Sequence, residues 1–547
     1  MYEEEPSPDR LFALSELSFS HALDADDRAY FLAAAVYAYA YLLPDHPQAR
    51  PEPTDPRLRL AVDLYNRGLT RGLQSADESE VVLKPGLYEL PFGTLGIKVD
   101  RSGFAWGDLV LTRFVSVADL QIRGLRNRHR RPGIGIPLAA RSTRTDGRGN
   151  SSESSRWLSQ DATVAVTAFL RIDDVYDALL TGEVTAQLEV YAADRYDTVE
   201  IDGESVPLEL DVSAALAYSI ADSALWDFEL AGFRLGDLGP SSTRESGRGL
   251  LMIAPYQPGR VPVVFVHGTA SSPLRWANMT NDLINDSLLR GRLQPWYFIY
   301  NSGNPLALSA SRLRQALQSV VTKLDPDGND PALRRMVVIG HSQGGLLTKM
   351  MVIDSGDRFW DLVSSVPLDR LEVQDETREI LEEALFFEAL PFVSRVVFIA
   401  TPHRGSFAAE RRLVGLANRL VRFPSRVVEM GDDLVDALRR DPEAAAERSL
   451  PRVPTSVENM RASNPLLQTL VATPIADGVK AHSIIAVTGD GPVEESDDGV
   501  VAFESAYLEG VESVAVVRSG HSAQQHPDTV AEVRRILLLQ LDDESDN

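Results

Sequence analysis

The chain has 547 residues, of which 44% are hydrophobic and 24% are charged, a composition typical of a soluble globular protein with two or three domains. Its formal net charge of −25 argues against nucleic acid or an anionic membrane surface as a partner, because phosphate groups would be repelled. The sequence contains no cysteine, which excludes disulfides, thiolate metal sites and a cysteine nucleophile.

The N-terminal stretch MYEEEPSPDR is acidic, whereas an export signal would begin with basic residues. We therefore expect either a cytoplasmic protein or a mature exported form that lacks its signal. Residues 31–43, FLAAAVYAYAYLL, are apolar but fall well short of the ~20 residues that a membrane span requires. They are predicted to form a buried helix, and no transmembrane segment is expected.

Two regions precede the part of the chain that carries the motifs. Residues 1–78 are predicted to form a helical segment, because apolar residues recur at helical spacing in three stretches. Residues 79–245 contain segments typical of strands at 162–172, 182–192 and 206–212, separated by Gly, Asp and Pro. This pattern predicts a β-rich module. Neither region resembles a family that we can name.

The β-rich region contains an arginine-rich stretch, with nine arginines between Arg123 and Arg156 in an otherwise acidic chain. One interpretation is a solvated loop that pairs with acidic surface elsewhere. The other is a patch that steers carboxylate or phosphate groups of a substrate.

From residue 246 to residue 547, buried strands alternate with amphipathic helices. The predicted strands are 261–268, 296–303, 336–342, 395–403 and 482–490. Continuous apolar strands linked by helices predict a mostly parallel sheet covered on both faces, an α/β architecture. Ligands bind such sheets at the carboxyl ends of the strands.

A candidate nucleophile lies directly after the third of these strands. In VVIGHSQGGLL, residues 337–347, the residues Gly340, Ser342 and Gly344 form a G-x-S-x-G pattern between a predicted strand and a predicted helix. This context is the one in which the central serine is exposed on a sharp turn. The helix N-terminus makes the backbone N–H of Gln343 a candidate donor to an oxyanion.

A serine hydroxyl needs a base to accept its proton. We favour His521, in VVRSGHSAQQHP, because it lies between the last predicted strand and the last predicted helix. His526 is the alternative. His341 lies beside the serine and is expected to point away from it, and His482 is expected to be structural.

The base needs a carboxylate to orient it. The segment GDGPVEESDDGVVAFESA offers several acids, and Asp498 is preferred because DGVV places it at a glycine turn before apolar residues. Asp490 and Asp497 remain open. No calcium-loop pattern supports a metal site here, and none is predicted.

A second oxyanion donor is expected from the loop after the first strand of this region. That loop is VHGTASSPLRW, in which the N–H of Thr269 or of Ala270 could point to the oxyanion.

These pieces resemble bacterial esterases and lipases of the α/β-hydrolase family over residues 260–541. The resemblance rests on VHGTASSPLRWANM, YNSGNPLALSASRLRQAL, GHSQGG, ATPHRGS, DDGVVAFESA and the SGH histidine. It implies a Ser342–His521–Asp498 triad, acyl-enzyme chemistry, an acyl-ester or lipid substrate and no cofactor. Some lipases of the family bind calcium through an aspartate just after the histidine, and HSAQQ lacks one. The oligomeric state is not indicated.

Residues 406–475 are predicted to be an insertion between the fourth and fifth strands, with amphipathic helices in 408–423 and 432–441. A mobile lid would favour long acyl chains, and a fixed cap would favour small esters. Three other functions remain open: an acyltransferase with the same triad, a peptidase, and a binding or scaffolding protein with an inactive hydrolase domain.

Overall fold

The computed structural model describes residues 7–46, 50–118, 120, 122, 124–144, 156–158, 162–221, 249–407, 425–441, 444 and 454–543. The chain forms two compact units, the first from residues 1–155 and 160–222 and the second from residues 156–159 and 223–547. The boundary suggested at residue 79 lies inside the first unit, and the division of the chain into three parts stays a prediction.

The first unit begins with three helices: α1 Pro8–Ala25, α2 Arg28–Leu42 and α3 Arg57–Gly72. Helix α2 is buried from Phe31 to Leu42, because α1 and α3 both pack against it. The buried helix predicted from the apolar stretch is therefore confirmed. Within the described ranges, no helix combines the length and the apolar character that crossing a bilayer requires.

A seven-stranded sheet follows in the same unit, in the order β1-β2-β8-β7-β6-β4-β3. Neighbouring strands are antiparallel except β2 and β8, which are parallel. The strands of the unit are β1 Gly86–Leu90, β2 Gly93–Val99, β3 Ala105–Trp106, β4 Leu109–Ser116, β5 Arg130–Arg131, β6 Ile136–Arg144, β7 Thr163–Ile172, β8 Glu183–Ala192, β9 Thr198–Ile201, β10 Glu204–Pro207 and β11 Leu210–Asp211. Two helices, α4 Val175–Thr181 and α5 Val212–Ala221, complete it. The β-rich module is confirmed.

The helices and the sheet of the first unit share a core. The Tyr65 hydroxyl of α3 is fully buried, donates to the carbonyl of Leu170 in β7 at 2.7 Å, and accepts the N–H of the same residue at 2.9 Å. One side chain thereby satisfies both polar groups of a strand residue, which fixes the helix against the sheet.

The arginine-rich stretch is attached to this unit by ion pairs. Arg128 pairs with Asp211 at 2.6 Å, and Arg130 pairs with Glu209; both acidic side chains are at most 3% exposed. Charges at these depths require a partner, because burial removes their hydration. These pairs favour the interpretation in which the stretch pairs with carboxylates of the chain itself. The expectation of a loop is wrong for residues 130–131 and 136–144, which form β5 and β6.

The second unit contains a seven-stranded sheet in the order β12-β14-β13-β15-β16-β17-β18. Strand β12 is antiparallel to β14, and all other pairs are parallel. The strands are β12 Leu250–Met252, β13 Val261–Val266, β14 Leu293–Phe298, β15 Met336–His341, β16 Val393–Ile399, β17 Lys480–Val487 and β18 Ser513–Arg518. All residues of β13 and β15 are buried, as expected where both faces of a sheet are covered.

Helices lie on both faces of this sheet. They are α6 Ala277–Asn285, α7 Leu306–Leu324, α8 Gln343–Lys349, α9 Asp375–Leu385, α10 Ser425–Arg440, α11 Ser456–Asn459, α12 Pro465–Ala472, α13 Phe503–Ala506 and α14 Pro527–Asp542. Phe265 and Ile339 belong to the core that packs against α6 and α14, while α8 packs against β15 and β16. The mostly parallel α/β sheet, the doubly wound arrangement of its helices and the helical insertion confirm the predicted fold class.

The described part of the insertion contains α10, α11 and α12. Asp433 of α10 accepts the N–H of Gln374 at 2.8 Å, and Arg440 donates to the carbonyl of Glu372 at 3.0 Å. Helix α10 covers the helix predicted at 432–441 except for its last residue, whereas the one predicted at 408–423 lies outside the described residues.

Candidate active site

Ser342 occupies a sharp turn between β15 and α8, with φ of 54° and ψ of −125°. A side chain at positive φ is strained, and such strain persists only where the surroundings fix it. A Cβ on Gly340 would lie 2.4 Å from the carbonyl oxygen of Gly344, and one on Gly344 would lie 2.3 Å from that of Val266. Both positions therefore require glycine, which explains the G-x-S-x-G pattern sterically.

His521 follows β18 and faces the serine. Its Nε2 lies 2.8 Å from Ser342 Oγ, and its Nδ1 lies 2.7 Å from Asp498 Oδ2. With Nδ1 carrying the proton for Asp498, Nε2 has a lone pair available to the serine hydroxyl. The arrangement can accept a proton from Ser342 and return it to a leaving group.

Asp498 is fixed by its own turn. Its Oδ1 accepts the N–H groups of Val500 and Val501 at 2.9 and 2.7 Å, and its carbonyl accepts the N–H of His521 at 2.9 Å. The side chain is only 1% exposed, so its second oxygen is held against the imidazole. The same residue therefore positions both the backbone and the ring of His521.

The two alternative acids lie elsewhere. Asp490 is exposed, and Asp497 accepts the N–H of Gly499 at 2.7 Å. The alternative base, His526, caps α14 by accepting the N–H of Asp528 at 3.3 Å. The structure brings Ser342 together with His521 and Asp498.

His341 has a contact that sequence reasoning missed. Its Nε2–H donates to the carbonyl of His521 at 2.7 Å, so the residue beside the serine supports the backbone of the base. Burial and, secondarily, the neighbouring His521 lower the pKa of His341 to about 3, which keeps the ring neutral. The G-H-S string carries no signal for this contact, because the partner lies 180 positions further on.

The loop after β13 lies close to the serine, since a Cβ on Gly268 would lie 3.0 Å from Ser342 Cβ. The N–H of Ala270, a residue with φ of 49°, donates to Ser302 Oγ at 2.9 Å. Among the described residues, the N–H groups of Thr269 and Gln343 have no acceptor. Of the two candidates in this loop, Thr269 is therefore the one whose N–H remains available.

Ser302 is a second residue that sequence reasoning missed. It belongs to the loop YNSGN after β14, and its small polar residues at the carboxyl end of a strand were an available signal. Its contacts with Ala270 and Gln343 place it beside the proposed oxyanion donors.

In the ranges that the structure describes, no group of three or more His, Asp or Glu residues is arranged to hold a metal ion.

The described geometry is that of an α/β hydrolase, and sequence comparison identifies the same class. The model of the alpha/beta hydrolase family matches residues 263–533, just under half of the chain, and this range contains Ser342, Asp498 and His521. This part of the chain matches that family. No curated protein matches the chain.

Solved structures similar to this chain include a mature lipase from Bacillus licheniformis, with 14% identity, coverage of 52% of this chain and 93% of that chain, and a TM-score of 0.30. A metagenomic carboxyl esterase has 15% identity, coverage of 56% of this chain and 82% of that chain, and a TM-score of 0.28. Phospholipase PlaB from Legionella pneumophila has 15% identity, coverage of 45% of each chain, and a TM-score of 0.26. At these values the similarities carry no information about the reaction of this chain.

Proposed function

We propose that the second unit is a serine hydrolase of carboxylic esters, acting on lipid-like acyl esters through Ser342, His521 and Asp498. The observation that carries the proposal is the continuous hydrogen-bonded chain from Asp498 Oδ2 through His521 to Ser342 Oγ, with distances of 2.7 and 2.8 Å. A serine hydroxyl alone is a weak nucleophile, and this arrangement supplies the base that activates it and the carboxylate that orients the base.

In the first half of the reaction, Ser342 Oγ attacks the ester carbonyl while His521 Nε2 accepts the hydroxyl proton. The carbonyl oxygen becomes an oxyanion that accepts the N–H groups of Thr269 and Gln343. Asp498 stabilises the imidazolium and remains ionised. The intermediate then collapses, the ester C–O bond breaks, and His521 returns the proton to the departing alkoxide, which leaves an acyl group on Ser342.

In the second half, water attacks the acyl-enzyme and His521 accepts its proton. The second tetrahedral intermediate collapses, Ser342 recovers its proton from the imidazolium, and the carboxylic acid leaves. The same two backbone donors stabilise both intermediates, and loss of one such donor typically lowers the rate roughly 10²–10³-fold.

The test is hydrolysis of p-nitrophenyl esters from acetyl to palmitoyl by wild type and Ser342→Ala in parallel. We expect turnover by the wild type and none by the variant, with equal melting temperatures because the deleted hydroxyl is small. The chain-length profile distinguishes a lipase from an esterase of small esters. Equal rates in both proteins, or no hydrolysis in either, would contradict the proposal.

Labelling with a fluorophosphonate provides a readout that does not depend on the chosen ester. We expect a mass increment on the Ser342 peptide of the wild type only. Addition of a small alcohol during turnover separates hydrolysis from acyl transfer: ester product exceeding free acid at low alcohol concentration would identify an acyltransferase instead.

A further inference from the structure

The side chain of Gln343 joins the two loops that flank the proposed oxyanion site. It is fully buried; its Oε1 accepts the hydroxyl of Thr269 at 2.6 Å, and its Nε2 donates to the carbonyl of Ser302 at 3.1 Å. Each end of the amide is thus bonded to a different loop. A buried amide with both ends satisfied is held in one orientation.

Ser302 extends these bonds in two directions. Its Oγ accepts the N–H of Ala270 at 2.9 Å, so the residue after Thr269 is fixed as well. Its carbonyl accepts a second hydrogen bond, from the hydroxyl of Ser456 in α11. Ser302 and Ser456 are at most 3% exposed, so water does not compete freely for these bonds.

The two residues joined by the 2.6 Å bond are the same two whose backbone N–H groups are proposed to bind the oxyanion. Thr269 and Gln343 are 74 positions apart, and they lie three residues beyond Val266 and Gly340, respectively, the last pair in the ladder between β13 and β15. The backbone bonds of the sheet therefore end before the two donors. Electrostatic stabilisation of an oxyanion depends on donors that are already in place before the charge develops.

We propose that the side chains of Thr269, Gln343 and Ser302 form a clamp that positions the two oxyanion donors, and that Ser456 connects this clamp to the insertion between β16 and β17. The inference rests on the proposed function and deepens it. Thr269 and Gln343 thereby have two separate roles: the backbone N–H groups bind the oxyanion, and the side chains set the distance between them.

The connection to the insertion has further bonds. In α11, the N–H of Ser456 donates to the carbonyl of Gly303 at 3.3 Å, and Asn459 Oδ1 accepts the N–H of Leu306 at 3.1 Å. This short helix therefore supports the loop that carries Ser302. The proposal gives helix α11 of the insertion a role in catalysis that does not depend on any contact with the acyl chain.

The test is a comparison of Thr269→Val with Thr269→Ser. Valine keeps the backbone N–H and the volume of the side chain but removes the hydroxyl, whereas serine keeps the hydroxyl. We expect Thr269→Val to lower kcat about tenfold, less than the loss of a whole donor, with KM within about twofold of wild type. Affinity for a trifluoromethyl ketone, which forms an oxyanion on Ser342, should fall by the same factor. Thr269→Ser, which keeps the hydroxyl, should recover most of the kcat and of the ketone affinity that Thr269→Val loses.

A purely structural role would lower the melting temperature of Thr269→Val without changing kcat or the affinity for the ketone, and that result would overturn the proposal. Equal losses in the valine and serine variants would also overturn it, because the hydroxyl would then be irrelevant. If Thr269→Val does not fold, Ser456→Ala decides the question at the outer end of the clamp. We expect a decrease in kcat of about threefold there, and wild-type kinetics would overturn the clamp.

These outcomes are distinguishable from failure of the proposed function. If hydrolysis depends on Ser342 but Thr269→Val behaves as wild type, the ester hydrolase stands and the clamp is wrong. If no hydrolysis depends on Ser342 and no phosphonate or ketone binds, the proposed function fails and the clamp fails with it.

Discussion

We expect the second unit to lose stability in mild acid because of the buried side chain of His482. The residue lies in β17 with no exposed surface; its Nε2 lies 2.6 Å from the Arg395 guanidinium, and its Nδ1 lies 2.7 Å from Ser513 Oγ. The neutral ring accepts from Arg395 and donates to Ser513, so both nitrogens are satisfied. Burial first, and then the positive charge of Arg395, lower the pKa of His482 from 6.5 to about 4.

The direction of this change in stability follows from how many protons the native and the unfolded protein bind at His482. Between pH 6.5 and about 4, the unfolded chain binds a proton at His482 that the native protein does not bind, so acid favours unfolding. This contribution to stability is fully present above pH 6.5 and is lost progressively as the pH falls toward 4. From pH 7 to pH 5 the loss is about 2 kcal/mol, a substantial fraction of the ~5–15 kcal/mol typical of a domain.

The assay compares wild type with His482→Gln. Glutamine can accept from Arg395 and donate to Ser513, but it does not titrate. Urea unfolding at pH 7, 6 and 5 should show that the wild type loses about 2 kcal/mol more than the variant between pH 7 and 5. Because His267 and His341 are present in both proteins, their own titrations cancel in the difference.

Parallel curves for the two proteins would refute this reasoning, because the ring would then titrate alike in the folded and unfolded states. Esterase activity at pH 7 is the control. His482 lies near the start of β17, whereas the triad lies at the carboxyl edge of the sheet, so the variant should hydrolyse esters at the wild-type rate.

Two further predictions concern the triad and the first unit. Asp498→Asn should lower kcat for p-nitrophenyl esters by roughly 10³–10⁴-fold, because the amide favours the wrong tautomer of His521. The control variant His526→Ala should keep wild-type activity. Loss of activity in His526→Ala but not in Asp498→Asn would instead identify His526 as the base. Tyr65→Phe should lower the free energy of unfolding of the first unit by about 1–3 kcal/mol, because the N–H of Leu170 loses its buried partner; calorimetry showing an unchanged transition would contradict the assignment.

Several features of the fold could be predicted from the sequence because their signals are local. Uninterrupted apolar runs such as the one in β15 predicted a parallel sheet covered on both faces, and the structure confirms it. The strand, glycine and helix around Ser342 likewise predicted a sharp turn, since the close approach at Gly340 is to Gly344, only four positions away. The close approach of Gly344 to Val266 is instead a contact between distant segments. The predicted strands extended up to five residues beyond the observed ends, for example at Phe298, because the polar residues of the following loops were included.

Contacts between distant segments could not be predicted in this way. The sequence left Asp490, Asp497 and Asp498 open, and the structure places only Asp498 against His521, because its turn directs one carboxylate oxygen to two N–H groups and the other to the ring. The hydrogen bond from His341 to the carbonyl of His521 also joins distant segments, and the sequence did not predict it.

The sequence by itself determined the class of the second unit and a short set of candidate residues, since strands, turns and helix starts are encoded within a few positions. Only the tertiary structure decided which donors of the Thr269–Ala270 loop remain available, and that Gln343, Ser302 and Ser456 are bonded in a row. The physical reason is that these bonds join four separate elements, and hydrogen bonds between elements depend on how the chain packs.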